Sequence, residues 1–430
     1  MSEALQGYQP RQFTIESLEG KKIDITNSIL SIDYFEDILS PSVYMMVTCI
    51  NKYSIVSGLP IRGGEKVEVD IDTGFGDFDF LEGESLRVYK VSGQEGTRFA
   101  ENFTLMITTQ EHMNNEISRC FRKYTGKISE SVKDILTNDL KTTKFKAENI
   151  EECANAYAYM GSMRKPFKVL EWLCPKSLSV RGGEIDPAPN ASVNEQAKGT
   201  MGFFFYENKE GFNFKSVDKL TELIGSATEE NVFRYNYTGK IIKSAETSNR
   251  FKIIDYGFDK NIDLRVSLRF GMFMNHTYLY NVDDNQVTVY NYKIDEEVGN
   301  KKMTKQDGIS VSNELLKYPS RIHVRMTDNG IMSSGGGTDN SGRSPADIAK
   351  SNARYNLMFT QALNILVPCN VNLKIGDVVH CEFSEMDSGR SKEPDKENSG
   401  RYLIRELRHH FSSSQNTTSL KLMRDSYGVN

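Results

Sequence analysis

Tryptophan occurs once, at Trp172, and cysteine six times, as Cys49, Cys120, Cys153, Cys174, Cys369 and Cys381, never in a CxxC pair. That scatter excludes the usual zinc-ribbon and dithiol redox spacings and reads as reduced core thiols rather than a disulfide framework. Basic residues do not exceed acidic ones: 53 Lys and Arg stand against 58 Asp and Glu, a formal charge of −5. A surface built to clamp phosphate or anionic lipid is therefore not expected. No apolar run reaches the roughly 20 residues a membrane helix needs. The opening MSEALQGYQPRQF has neither a basic n-region nor an apolar h-region, so no secretory signal is expected and the chain reads as a soluble product of a cytosol. Walker A, GxSxG and HExxH signatures are missing, as is a GxGxxG opening a helix. At 430 residues the length suggests two to four domains.

What the chain does have is period-two patterning. Phe13–Leu39 alternates apolar and polar residues, Val43–Ile50 follows the Ser40-Pro41 turn, and further strands are expected at Val67–Ile71, Leu86–Val91 and Phe103–Ile107. The period then changes. Ile128, Val132, Ile135, Leu136 and Leu140 have helical spacing, with Ser129 expected as the cap. KPFKVLEWL reads as a short helix opened by Pro166 and stopped by Pro175. Ser179–Lys198 and Ser384–Gly400 read as long polar loops. FFFYENKEGFNF predicts an aromatic hairpin turning at Gly211. A helix start is marked by Ser344, Pro345 and Asp347, and strands are expected again at Leu363–Val367, Val378–Phe383, Tyr402–Leu407 and Leu420–Leu422.

Two of these strands begin alike. LPIRGGEKVEVDI and LKIGDVVHCEF align with Gly64 over Gly376, Val67 over Val379, Val69 over Cys381 and Ile71 over Phe383. The match continues, since Leu86, Val88 and Val91 fall on Tyr402, Ile404 and Leu407, and Thr104–Ile107 on Ser419–Leu422. Any two antiparallel units share such patterns, but three elements in one order, with the same acidic turn at Glu65 and Asp377, read as a duplication.

The runs DYFEDILSPSVYMMV and LPIRGGEKVEV resemble the N-terminal domain of the baseplate central hub protein of T-even-type contractile-tailed phages. NILVPCNVNLKIGDVV and SGRYLIRELRHHFSSSQNTTSLKLMRDSYG are similar to the C-terminal part of that family, and Lys123–Leu140 and GFFFYENKEGFNFKSVDKL also fit. Late-control and VgrG-type tail hubs are its wider relatives, and a chain ending at Asn430 lacks the spike extension of the latter. The resemblance implies an α+β, mainly β fold: two similar antiparallel β-barrel domains in tandem with a smaller helical α/β insertion. The first barrel would take residues 1–115 plus about 200–245, the helical part 116–199 with about 306–361, and the second barrel 246–305 plus 362–430. It also implies a homotrimer in the tail baseplate of a virion, assembled in host cytoplasm, with no enzymatic activity and no cofactor. Its partners would be a tail spike protein and a tail tube or tube-initiator protein, with tape measure and baseplate wedge proteins nearby and genomic DNA passing through a channel. Two barrels per subunit in a trimer present six similar faces, which joins a six-fold tube to a three-fold spike. A cell-wall hydrolase of the tail is the alternative, and a tandem-barrel binding module a third reading.

Several motifs tempt toward chemistry. Asp72-Thr73-Gly74 is the aspartic-protease tripeptide, but Phe75 follows and no second copy exists. His409-His410 with His380 could suggest a metal, yet adjacent strand residues point to opposite faces. Neither catalytic nor metal-binding residues are assigned. Between Glu65 and Glu84 eight acidic residues accompany one basic residue, Lys66. They form either a solvated hairpin edge or a phosphate-repelling channel wall. Trp172 reads as core, with an interface anchor as the alternative.

Overall fold

The computed structural model describes residues 9–51, 61–73, 76–81, 86–96, 101–180, 198–220, 232–237, 250–260, 263–282, 285–294, 312–327, 342–384, 395 and 397–425. Most of the two expected loops, residues 181–197 and 385–394, lies outside these. The chain opens with β1 (Gln9–Glu16), β2 (Lys22–Asp24), β3 (Ile29–Asp37), β4 (Tyr44–Ile50), β5 (Lys66–Asp72), β6 (Asp77–Phe80), β7 (Leu86–Gly96) and β8 (Glu101–Thr109). Helix α1 (Gln110–Ile117), β9 (Lys123–Tyr124), α2 (Ile128–Asp134), β10 (Tyr159–Met160), α3 (Pro166–Leu173), β11 (Leu178–Val180) and β12 (Lys198–Met201) follow. Next come β13 (Phe203–Asn208), β14 (Gly211–Ser216), β15 (Phe233–Tyr237), β16 (Asp255–Lys260), α4 (Leu264–Arg269), β17 (Met274–Asn281), β18 (Val287–Lys293) and β19 (Arg321–Thr327). Helix α5 (Pro345–Leu357), β20 (Gln361–Pro368), β21 (Val378–Phe383), β22 (Gly400–Ser412) and β23 (Asn416–Arg424) complete it.

The protein is mainly β, and its principal sheet holds 14 strands in two arrays. The first runs β3-β4-β8-β7-β5-β1, with β2 beyond β1 and β6 beside β5. The second runs β16-β20-β23-β22-β21-β15. Neighbours in each are antiparallel except β15 and β21, which are parallel. Alternate residues of β3, β4 and β20 are buried, which is why the period-two reading locates these strands.

Closed tandem barrels are not what the described residues form. Strand β3 pairs with β4 on one edge and with β22 on the other, through Asp37↔Glu406 to Ser31↔Ser412. With both edges hydrogen-bonded, β3 cannot also accept β1 or β2 and close the first array. The second array rolls further, since Asn236 of β15 bridges to Lys252 just ahead of β16, but no continuous ladder joins them. Instead of two separate cores, one cluster runs through both arrays, from Phe13, Val67 and Leu105 to Val379, Ile404 and Leu420.

A second cluster gathers Ile128, Val132, Leu136, Leu140, Leu170 and Leu173 with Phe203, Phe205, Phe212 and Phe214. Helix α2 starts two residues earlier than a cap at Ser129 would place it: Lys127 is the N-cap and its N donates to Glu130 Oε2 at 3.2 Å, while the buried Ser129 Oγ accepts from Cys153 N at 3.2 Å. A partner across the fold outcompetes the local cap. Pro166 occupies the first turn of α3 as expected, and Ser344 caps α5 in a reciprocal box with Asp347 (3.2 and 2.8 Å). The third cluster packs α5 residues Ala349, Ala353 and Leu357 under the β18-β17-β19 sheet, on Phe273 and Tyr292. Among the described residues no helix is long and apolar enough to cross a membrane.

Candidate functional site: the seam between the arrays

The stretch 200–245 divides between neighbours. The β13–β14 hairpin turns at Asn208↔Gly211 and is buried along nearly its whole length. Because strand side chains alternate, Phe203 and Phe205 enter the helical cluster while Phe204 and Tyr206 enter the large core. One strand is thus wedged between two cores. Strand β15, further along the same stretch, pairs with β21 of the second array rather than with the first.

At the end of this wedge lies a polar knot. Glu36 on β3 is 3 % exposed and accepts from Lys209 N at 2.7 Å, Tyr34 Oη at 2.9 Å and Ile375 N at 3.1 Å. A single carboxyl therefore ties β3 to the hairpin turn and to the segment that leads into β21. Burial raises its pKa to about 7, against the three donors, with Asp377 pushing it further up. On the far side of the hairpin, Glu207 accepts from Val43 N at 3.3 Å and Thr109 Oγ1 at 3.0 Å. Burial and the neighbouring Glu111 carry Glu207 to about 8. Burial also lifts Asp377 to about 6, opposed by Lys374 and Lys215. These carboxyls hold strands together, and Glu207 also lines a pocket of about 230 Å³ with Val43, Thr109, Lys144 and Lys209.

The aligned positions sit at the two strand starts. Gly64 N donates to Val88 O at 2.7 Å and Val88 N to Glu65 O at 3.0 Å; Gly376 N donates to Ile404 O at 3.0 Å and Ile404 N to Asp377 O at 2.9 Å. Both glycines have positive φ, +97° and +84°. Val67 pairs with Leu86, and Val379 with Tyr402. In β7–β8 the register shifts between Val88 and Lys90, in β22–β23 between Ile404 and Glu406. Val67, Val69, Ile71, Val379, Cys381 and Phe383 are all buried. The surroundings differ at one point: a Cβ on Gly64 would have 3.5 Å to Leu18, whereas one on Gly376 would lie 2.5 Å from Tyr206 Oη. Glycine is the residue that lets the wedge seat against the second array.

The acidic stretch is compensated within the chain. Arg11 meets Asp70, Asp72 and Asp77, Lys22 and Lys66 meet Glu68, and Lys209 meets Asp79. Glu65 is buried and accepts from Arg62 N and Gly63 N. Glu82 and Glu84 lie outside the described residues, as do Gly74 and Phe75. The three histidines do not converge: His409 is buried on Thr418 Oγ1 with its pKa pushed down to about 3 by desolvation, His410 bonds Asp33, and His380 neighbours Glu382. Among the described residues no His, Cys, Asp or Glu group could hold a metal ion. All six thiols are buried and free. Half-buried Trp172 packs on Tyr157 and Tyr159, with the Lys176 ammonium 4.7 Å and the Arg164 guanidinium 5.5 Å from its ring. Sequence reasoning missed Glu36, Glu207 and Tyr206, for nothing local distinguishes a buried carboxyl from the many solvated ones.

No family model and no curated protein sequence matches this chain. Its fold is shared with solved tail proteins. A tail protein from Neisseria meningitidis MC58 superposes with a TM-score of 0.53 at 11 % identity, covering 97 % of each chain. The prophage MuSo2 tail protein from Shewanella oneidensis gives 0.53 at 9 % identity, over 96 % of this chain and 98 % of its own. Both are described as tail proteins, the second from a prophage.

Proposed function

We propose that the chain is a non-enzymatic structural protein of a phage tail, the central hub of the baseplate. The observation that carries this is the paired arrays: six strands in the same spatial order, each with a glycine start, the same pair of backbone bonds and the same register shift one strand further on. Agreement at that level supports a duplicated unit that rolls into two barrel-like halves. The end-to-end likeness to two tail proteins supports the setting.

On this reading three copies form a ring of six similar units around a channel. One face would meet the six-fold tail tube or its initiator, and the other the three-fold spike. Tape measure and wedge proteins would contact its periphery, in the tail of the virion. Because Arg11, Lys22, Lys66 and Lys209 offset the acidic stretch, the channel wall is not assigned to it.

Native mass spectrometry and class-averaged electron micrographs of the full chain test the proposal. The expected result is a three-copy ring with a central hole. A monomer or dimer at every concentration, also with the cognate spike present, overturns it.

A further inference from the structure

Three parts of the chain build the pocket beside Glu207. Val43 and Thr109 come from the first array, Thr143–Lys146 from the segment after α2, and Asn208–Gly211 from the hairpin turn. The last two are locked together. Phe212 N donates to Lys144 O at 2.8 Å, and a Cβ on Gly211 would come within 2.2 Å of that oxygen. Val43, Phe80 and Phe145 give the pocket an apolar side. A cavity of about 150 Å³ holds benzene. At about 230 Å³ this one has room for a ring or a branched aliphatic group with a polar substituent.

Two groups in its wall say what that substituent should be. Glu207 is 2 % exposed and accepts from Val43 N and Thr109 Oγ1 through Oε2, whereas Oε1 has no partner among the described residues. Burial and Glu111 lift its pKa to about 8 against Lys144, so at neutral pH Oε1 carries a proton with no acceptor. Lys144 Nζ stands 3.7 Å from Glu111 Oε2, beyond hydrogen-bond length, and that oxygen is itself buried without a hydrogen bond. Glu210 is divided between Lys146 at 3.7 Å and Lys374 at 2.9 Å, while Lys209 meets Asp79 at 3.1 Å. With Glu207 neutral, Lys144, Lys146, Lys209 and Lys374 thus face only three other carboxylates, Glu111, Glu210 and Asp79. A surplus ammonium charge and an idle O–H donor in one pocket are both answered by an anion with two acceptor oxygens.

We infer that this pocket binds a small carboxylate with an aromatic or branched apolar body, free or as the last residue of a polypeptide. One carboxylate oxygen accepts from the Glu207 O–H and the other from Lys144 Nζ, and the body lies on Val43, Phe80 and Phe145. Because Glu207 belongs to β13 while Val43 and Thr109 belong to the first array, occupancy would brace the wedge against that array. The inference stands apart from the trimer, since the pocket lies within one chain.

Isothermal titration of the full-length chain with benzoate, benzamide and benzylamine at pH 6.5 tests it. Benzoate should bind at least tenfold more tightly than the other two. Its affinity should then fall roughly tenfold per pH unit above about 8, as Glu207 gives up the proton that the complex needs. K144M should weaken benzoate at least tenfold with circular dichroism unchanged, and E207Q should abolish the pH dependence. The peptide Gly-Gly-Phe, compared with its C-terminal amide, separates the two sources. Tighter binding than benzoate places the ligand on a polypeptide end and weaker binding makes it a free acid, and both outcomes support the site. Equal affinities for benzoate and benzamide, a preference for benzylamine, no benzoate binding at millimolar concentration, or an affinity indifferent to pH and to K144M overturns the inference.

Discussion

Gly64 and Gly376 offer a matched pair of perturbations, because their backbones agree and their surroundings do not. At φ +97° and +84°, alanine at either position is strained. The left-handed region costs a non-glycine residue about 1–2 kcal/mol. At Gly64 that is the whole cost, since the new Cβ would sit an ordinary 3.5 Å from Leu18. At Gly376 the Cβ would lie 2.5 Å from Tyr206 Oη and 3.3 Å from its Cζ. Tyr206 is 1 % exposed and packed in the large core, so its ring cannot swing away. Overpacking of this kind adds about 1–3 kcal/mol. G376A should therefore be the worse variant by roughly that amount. Removing the hydroxyl with Y206F should return about 1–2 kcal/mol to G376A, a coupling expected only between residues in contact. Local opening measured by amide exchange is the assay that reads each glycine's surroundings separately. The amides of Gly376 and Ile404 are compared with those of Gly64 and Val88. Equal losses in G64A and G376A, or simple addition of Y206F and G376A, would refute the wedge argument.

Val67→Ala and Val379→Ala each remove two fully buried methyl groups and should cost about 1–3 kcal/mol, read as faster exchange in β5–β7 and β21–β22 respectively. Glu36 and Glu207 should make stability fall with rising pH. Each binds its proton more tightly folded than unfolded, so its contribution is complete below pH 4.5 and is lost as pH climbs through about 7 and 8. For Glu36 this amounts to about 3 kcal/mol; E36Q should flatten the decline in melting temperature between pH 5.5 and 8.5, and an unchanged slope would contradict it. Arg424 has no exposed surface and donates to Gln361 Oε1, Ser399 O and Glu397 O, so R424M should destabilise β20–β23 by about 3–5 kcal/mol. Thermal unfolding monitored by near-ultraviolet dichroism checks it, and a neutral result would show that the three acceptors find water.

What the sequence by itself determined is the local material. Alternation in Ile29–Asp37 and Gln361–Pro368, the Ser344-Pro345-Asp347 cap and the turn at Gly211 were all legible, because each depends on residues within one or two turns of chain. Ser129 misled for the same reason: a local cap was visible, while its actual partner, Cys153 N, is 24 residues away. Only the tertiary structure decided that β3 would spend its second edge on β22, which opens the barrels into one sheet and fuses their cores. It alone decided that Tyr206 would reach Gly376, that Glu36 would gather donors from three segments, and that Arg11 and Lys209 would meet the acidic strands. Hydrogen bonding between strands and the burial of a charge depend on which surfaces meet, and partners as many as 377 residues apart leave no periodic trace in the chain.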